Sequence, residues 1–237
     1  GLGFVVVSDK SAYTTGRFTR DNTGRIASIL AEKIALLHGP DNQPLPKYRK
    51  DTEGLALLPN GQAYISFERD ARVAHYATLN GPGIIIAGPP AFDTMRRNSS
   101  LEALAVDADG TLYTLPERSG DLLRPFPVYR FRGGVWDHPF SIPRIGTFLA
   151  VAADIGPDGR FYLLERQFRG LSGFASRVRR FEMGSNQLFN QETLFQSIPG
   201  QHDNLEGLSV WRDASGTLRL TMISDNNLLF LQRTEIV

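Results

Sequence analysis

Residues 51–69, DTEGLALLPNGQAYISFER, hold two apolar runs joined by Pro59-Asn60-Gly61. Asn and Gly accept the positive φ of a tight hairpin turn, so the stretch reads as two short strands and their turn. Glu53 stands directly before the first run and Glu68 directly after the second. The same pattern returns as SSLEALAVDADGTLYTLPERS (99–119), with Glu102 and Glu117 in the corresponding places. Glu53 and Glu102 are 49 residues apart, as are Gly61 and Gly110, and again Gly110 and Gly159.

The third copy, FLAVAADIGPDGRFYLLERQ (148–167), has Val151 where the others have the first glutamate. A fourth, NLEGLSVWRDASGTLRLTMISDN (204–226), carries Glu206 and closes on Asp225. The opening FVVVSDK (4–10) reads as the second half of a further unit. About 25 residues of each unit remain for two more strands, which is the size of a propeller blade. The expected fold is all-β: a single propeller domain over 1–237, with five or six four-stranded blades. Its N-terminal blade is incomplete, and strands from both chain ends close the ring. GRIASILAEKIALL (24–37) has helical spacing, but its place in the repeat predicts an outer strand.

Composition narrows the function classes. Lys+Arg 26 against Asp+Glu 25 gives a formal charge of +1, so no global field recruits nucleic acid. No apolar run approaches the ~20 residues of a membrane span. With no Cys, disulfides and thiolate metal sites are excluded. No P-loop, H-E-x-x-H, EF-hand or G-x-S-x-G pattern is present.

In a propeller the first strand of each blade lines the channel and the second runs back antiparallel. The residue before strand one and the residue after strand two therefore share one end of the channel. Glu53, Glu102 and Glu206 are expected at that mouth, with Asp9, Glu68, Glu117, Glu165 and Asp225 around them. Gathered carboxylates raise one another's pKa unless something offsets them. One offset is internal pairing through the dipeptides Glu68-Arg69, Glu117-Arg118 and Glu165-Arg166. The other is a hard cation such as Ca²⁺, held by Glu53, Glu102, Asn204 and Glu206. His202 and Glu206 are the candidate acid–base residues, and Arg69, Arg118 and Arg166 the candidate contacts to an anionic substrate. His38, His75 and His138 have no partner visible in sequence.

FVVVSDKSAYTTGRFTRDNTGRI, DTEGLALLPNGQAYISFER, SLEALAVDADGTLYTLPER and DNLEGLSVWRDASGTLRLTMISDNN with LFLQRTEIV resemble the bacterial phytase-like family, "esterase-like activity of phytase". The resemblance covers nearly the whole chain. It implies a β-propeller that is exported to the periplasm or secreted behind a signal peptide. The Asp-rich calcium stretches of β-propeller phytases and the R-H-G-x-R-x-P of histidine acid phosphatases are both missing. In layout the chain is similar to calcium-dependent gluconolactonase and paraoxonase propellers, where Glu and Asn hold a metal at the mouth. The expected function is metal-assisted hydrolysis of phosphate esters, carboxylic esters or lactones by a monomer. The alternative is a non-catalytic propeller that binds an extracytoplasmic ligand or protein.

Overall fold

The computed structural model describes residues 3–95, 100–227, 230 and 232–237. Leu228, Leu229 and Leu231 of the closing stretch lie outside the described residues. Strands dominate, arranged as antiparallel sheets in a propeller ring. The first sheet holds β1 (Gly3–Ser8), β2 (Ala12–Arg20), β3 (Ile26–Ala31) and β4 (Ala35–Leu36), with β3 and β4 side by side along β2. The second runs β5 (Thr52–Leu57), β6 (Ala63–Phe67), β7 (Arg72–Tyr76), β8 (Gly83–Ile86) in order. The third does the same with β9 (Leu101–Val106), β10 (Leu112–Pro116), β11 (Phe126–Arg132) and β12 (Val135–Ile142). The fourth is β13 (Leu149–Ile155), β14 (Phe161–Phe168), β15 (Phe174–Met183) and β16 (Leu188–Gln196). β17 (Leu205–Arg212) and β18 (Leu218–Ser224) form the last, and Ile236 bridges to Ile223 on the free edge of β18. Within GRIASILAEKIALL, Ile26–Ala31 and Ala35–Leu36 are strand, broken at 32–34 and both along β2, as the place in the repeat requires. The outer edge of a sheet overrides the local helical period.

Turn chemistry explains the regularity. Gly61, Gly110 and Gly159 have φ of 86°, 82° and 72°, a region that costs Gly nothing and other residues strain. In each turn an Asp or Asn accepts backbone N–H groups, as Asp107 Oδ1 does from Asp109 (3.0 Å) and Thr111 (2.9 Å). These turns all lie at one end of the ring, and the residues before β5, β9, β13 and β17 lie at the other.

Apolar side chains of neighbouring sheets interdigitate around the ring. Ala103, Leu115, Phe126 and Val128 of the third sheet pack with Ala150, Phe161 and Leu163 of the fourth. The next layer joins Val151, Leu164 and Val178 to Leu205, Val210 and Met222. β9 and β10 are buried along their whole length, whereas the outer β16 is largely exposed. β1 pairs with β2, and among the described residues no pairing of β1 with a C-terminal strand is present. The first and last sheets meet instead through side chains, with the Arg20 guanidinium 4.8 Å above the Trp211 ring. Among the described residues no helix is long and apolar enough to cross a membrane.

Candidate functional site at the channel mouth

Hydroxyls and backbone groups first bind neighbouring sheets together at the mouth. Thr52 Oγ1 donates to Ser8 O, and Ser100 Oγ to Glu68 O. Gly54 makes the close approach possible. A Cβ there would stand 2.6 Å from Glu102 O and 2.6 Å from Leu104 Cβ, so any side chain would force β5 and β9 apart. The residue after each second strand is pinned in turn: Glu68 N donates to Asp51 O, Glu117 N to Ser100 O and Asp225 N to Asn204 O, each at 3.0 Å. Glu53, Glu102, Glu206, Glu68, Glu117 and Asp225 thus share one end of the ring.

The mouth is electrostatically lopsided. On one side Arg166 reaches from the end of β14 to three partners. Its Nη1 donates to Asn204 Oδ1 and Glu206 Oε1, and its Nη2 to Glu117 Oε1 at 3.2 Å. Asn204, fully buried, also donates through Nδ2 to Glu206 Oε1 at 2.8 Å. Arg118 Nε closes on Glu117 Oε2 at 3.0 Å. On the other side Asp51, Glu53 and Glu68 bring carboxylate oxygens within 4.8 Å of one another. Among the described residues the ion pair there is Arg69 Nε to Asp51 Oδ2, at 3.4 Å, with the Arg69 side chain half in solvent. Asp51 itself has a φ of 100°, strain of the kind that concentrates at functional sites.

The carboxyls respond as this charge distribution requires. Burial, then Glu68 and Glu206, push Glu53 up to about 9. Burial and the neighbouring Asp51 push Glu68 to about 7. Burial and the charges of Glu53 and Glu117 raise Glu102 well above the carboxylate range. Glu206 is also raised, by burial, with Arg166 pulling against the shift.

The eight residues singled out from sequence therefore separate. Glu53, Glu102, Asn204, Glu206 and Arg166 share the mouth, with Arg69 and Arg118 at its rim. His202 lies on the loop before β17, but faces Phe195 (5.9 Å) and Glu235, whose Oε1 is 3.4 Å from Nδ1. Glu165 is a correction: it does not belong to the acidic ring. Its carboxylate is fully buried inside its own sheet, bound by Arg177 Nε (2.8 Å), Arg179 Nε (2.8 Å) and Arg179 Nη2 (2.7 Å). Steps of 49 residues from Glu68 lead to Glu117 and then to Arg166, so the basic member of Glu165-Arg166 occupies the channel position. A one-residue shift along a strand turns a side chain to the opposite face. The same register shows that Glu206 is not an uncompensated carboxylate. Asp51, absent from the sequence candidates, joins because Glu68 closes onto its carbonyl.

Comparisons with known proteins agree with the architecture. An exo-β-1,3-galactanase from Clostridium thermocellum superposes with a TM-score of 0.54 at 13% identity, covering 99% of this chain and 57% of that one. A protein of unknown function from Dyadobacter fermentans gives 0.52 at 9% identity, covering 94% and 74%. A streptogramin B lyase gives 0.47 at 10% identity, covering 96% and 62%. The chain therefore spans under two thirds of the galactanase and of the lyase, and the first two likenesses speak for the fold alone. A search of curated proteins finds no match. Over residues 2–228 the sequence matches the phytase-like family described as "esterase-like activity of phytase", and the chain belongs to that family.

Proposed function

We propose that the channel mouth is the functional site of a metal-assisted ester hydrolase, acting on a phosphate ester, carboxylic ester or lactone. The observation that carries this reading is the lopsided charge. A group of oxygen ligands, Asp51, Glu53 and Glu68, stands beside a carboxylate, Glu206, that Arg166 and Asn204 hold in place. An all-oxygen set with raised carboxyl pKa values suits a hard divalent cation such as Ca²⁺, with Glu102 alongside. When bound, such a cation polarises the scissile group and lowers the pKa of water.

The residues of the chain supply the remainder. Glu206 accepts the proton of the attacking water. Burial raises its pKa, the direction that makes a carboxylate a stronger general base, and the Asn204 Nδ2 donor fixes its orientation. Arg166 is shared between Glu206 and Glu117 in a half-buried place and lends positive potential to an anionic substrate. Arg69 and Arg118, both largely exposed, attract that substrate from the rim. The family resemblance favours a periplasmic or secreted location.

A screen with phytate, p-nitrophenyl esters and lactones, with Ca²⁺ or with chelator, tests the reading. Glu206→Gln is expected to lower kcat about 10²–10⁴-fold with a smaller change in KM. Arg166→Gln should lower activity as well, since it leaves Glu206 and Glu117 without their shared cation. Turnover no higher than that of Glu206→Gln on every substrate would remove the hydrolase. A second reading, ligand binding without turnover, is favoured by one fact: Arg69, Arg118 and Arg166 all already have acidic partners. That outcome would leave Ca²⁺ binding intact while every substrate stayed unconverted.

A further inference from the structure

We propose that the mouth face docks on an anionic lipid surface, bringing the channel mouth to the interface. The two ends of the ring differ in their exposed apolar side chains. At the mouth end, Leu122 and Leu123 tip the loop between β10 and β11, and Leu123 is 90% exposed. Phe168 and the fully exposed Leu171 tip the next such loop, after β14. Ile145, Ile198 and Tyr48 stand exposed on the loops that lead into β13, β17 and β5. At the opposite end, among the described residues, exposed large apolar side chains stand singly beside separate turns, Leu57, Val135 and Phe189, and each is less exposed than Leu123 or Leu171.

Each apolar tip but that of Ile198 comes with basic neighbours. Lys47, Arg49 and Lys50 surround Tyr48; Arg118 and Arg124 bracket Leu122-Leu123; Arg144 precedes Ile145; Arg169 lies between Phe168 and Leu171. Aliphatic tips that enter the acyl boundary, ringed by cations that meet anionic headgroups, are the chemistry of an interfacial lipid contact. An isolated exposed Leu means nothing by itself, but a rim of them on one face does.

The loops form a joined rim. Arg144 Nη1 donates to Asp121 O at 3.1 Å, tying the Ile145 loop to the Leu123 loop. Gly200 N donates to Phe174 O at 2.8 Å, tying the Ile198 loop to the Leu171 loop. The carboxylates of Asp51, Glu53, Glu68 and Glu117 are partly or fully buried, while the exposed Asp70 and Asp121 are flanked in sequence by Arg69 and by Arg118 and Arg124. The chosen occupant is therefore a lipid surface rather than an acidic protein, since the apolar tips project from several separate loops around a ring.

Co-sedimentation of the whole chain with phosphatidylcholine vesicles containing about 30 mol% phosphatidylglycerol, in chelator, tests this without any turnover, so its failure is separable from that of the hydrolase reading. Wild type should pellet with these vesicles at least about tenfold more than with pure phosphatidylcholine, and added salt should weaken the binding. Leu123→Ser/Leu171→Ser should lose most of this binding and keep the wild-type Tm, because both side chains are in solvent. Val135→Ser, at the opposite end and 67% exposed, should bind as wild type does. Three results would overturn the proposal: no vesicle binding above the lipid-free control, equal binding by Leu123→Ser/Leu171→Ser, or equal loss in Val135→Ser. A fourth is a wild-type dimer in lipid-free buffer that becomes monomeric in Leu123→Ser/Leu171→Ser, which would make the rim an interface between copies.

Discussion

Glu165→Ala is expected to destabilise the protein by about 3–5 kcal/mol, the usual cost of breaking a buried ion pair from one side. Glu165 is fully buried and engages two guanidinium groups, and Arg179 is itself fully buried. Without the carboxylate, Arg179 would retain only Pro143 O and Gln191 Oε1 (both 3.0 Å), and Arg177 only Ile145 O (3.1 Å). Their rings of contact, Phe148 at 4.2 Å and Phe181 at 5.3 Å, cannot replace a negative charge. For a chain of this size the loss corresponds to a fall in Tm of roughly 10 °C. Glu192→Ala removes the partner of Arg180, but that pair lies at the surface and should cost under about 1 kcal/mol. Thermal melts of the two variants decide the matter. Equal shifts would show that Glu165 is not the buried hub described above.

The second large effect concerns Glu53 and pH. An ordinary glutamate titrates near 4.5, whereas Glu53 in the folded protein is pushed to about 9 and Glu68 to about 7. As pH rises above about 4.5 the unfolded chain releases these protons first and the folded chain retains them. Stability is therefore lost as pH climbs towards 7 and on towards 9, at up to about 1.4 kcal/mol per unit for each group. Glu53→Gln keeps the shape and removes the ionisation. In chelator it should match wild type near pH 4 and exceed it by roughly 3 kcal/mol at pH 8, after discounting for water in the mouth. Parallel Tm-versus-pH curves for the two proteins would contradict the burial and mutual repulsion assigned to this group.

The parts of the fold that repeat were legible in the sequence, because each depends on a local signal. Asn60-Gly61, Asp109-Gly110 and Asp158-Gly159 placed the turns at one end of the ring. The alternation of strand directions then placed Glu53, Glu102 and Glu206 at the other. Even the misleading helical period of residues 24–37 yielded to the repeat. What the sequence concealed depends on register. Glu165 and Arg166 look alike in the Glu-Arg dipeptide, yet opposite faces of β14 send one into the sheet and the other into the channel. The 49-residue step would have separated them. Asp51 was hidden for a different reason, since the matching positions Ser100 and Asn204 are not acidic and only the backbone bond to Glu68 brings it in. The partner of His202 was not legible either, because Glu235, its neighbour in space, is 33 residues away along the chain.

Thermal unfolding at about pH 8, with Ca²⁺ against chelator, reads the cation reading of the mouth in one step. Burial and the nearby Glu68 and Asp51 oppose ionisation of Glu53 there, and a bound divalent ion offsets that opposition in the folded state only. Mass action then stabilises wild type by roughly 2.7 kcal/mol when Ca²⁺ is at a hundredfold excess over Kd. The expected result is a Tm that rises with Ca²⁺ in wild type, stays flat in Glu53→Gln, and still rises in Arg69→Gln, whose side chain is largely in solvent. A wild-type Tm that is the same in Ca²⁺ and in chelator would contradict a cation site at the channel mouth.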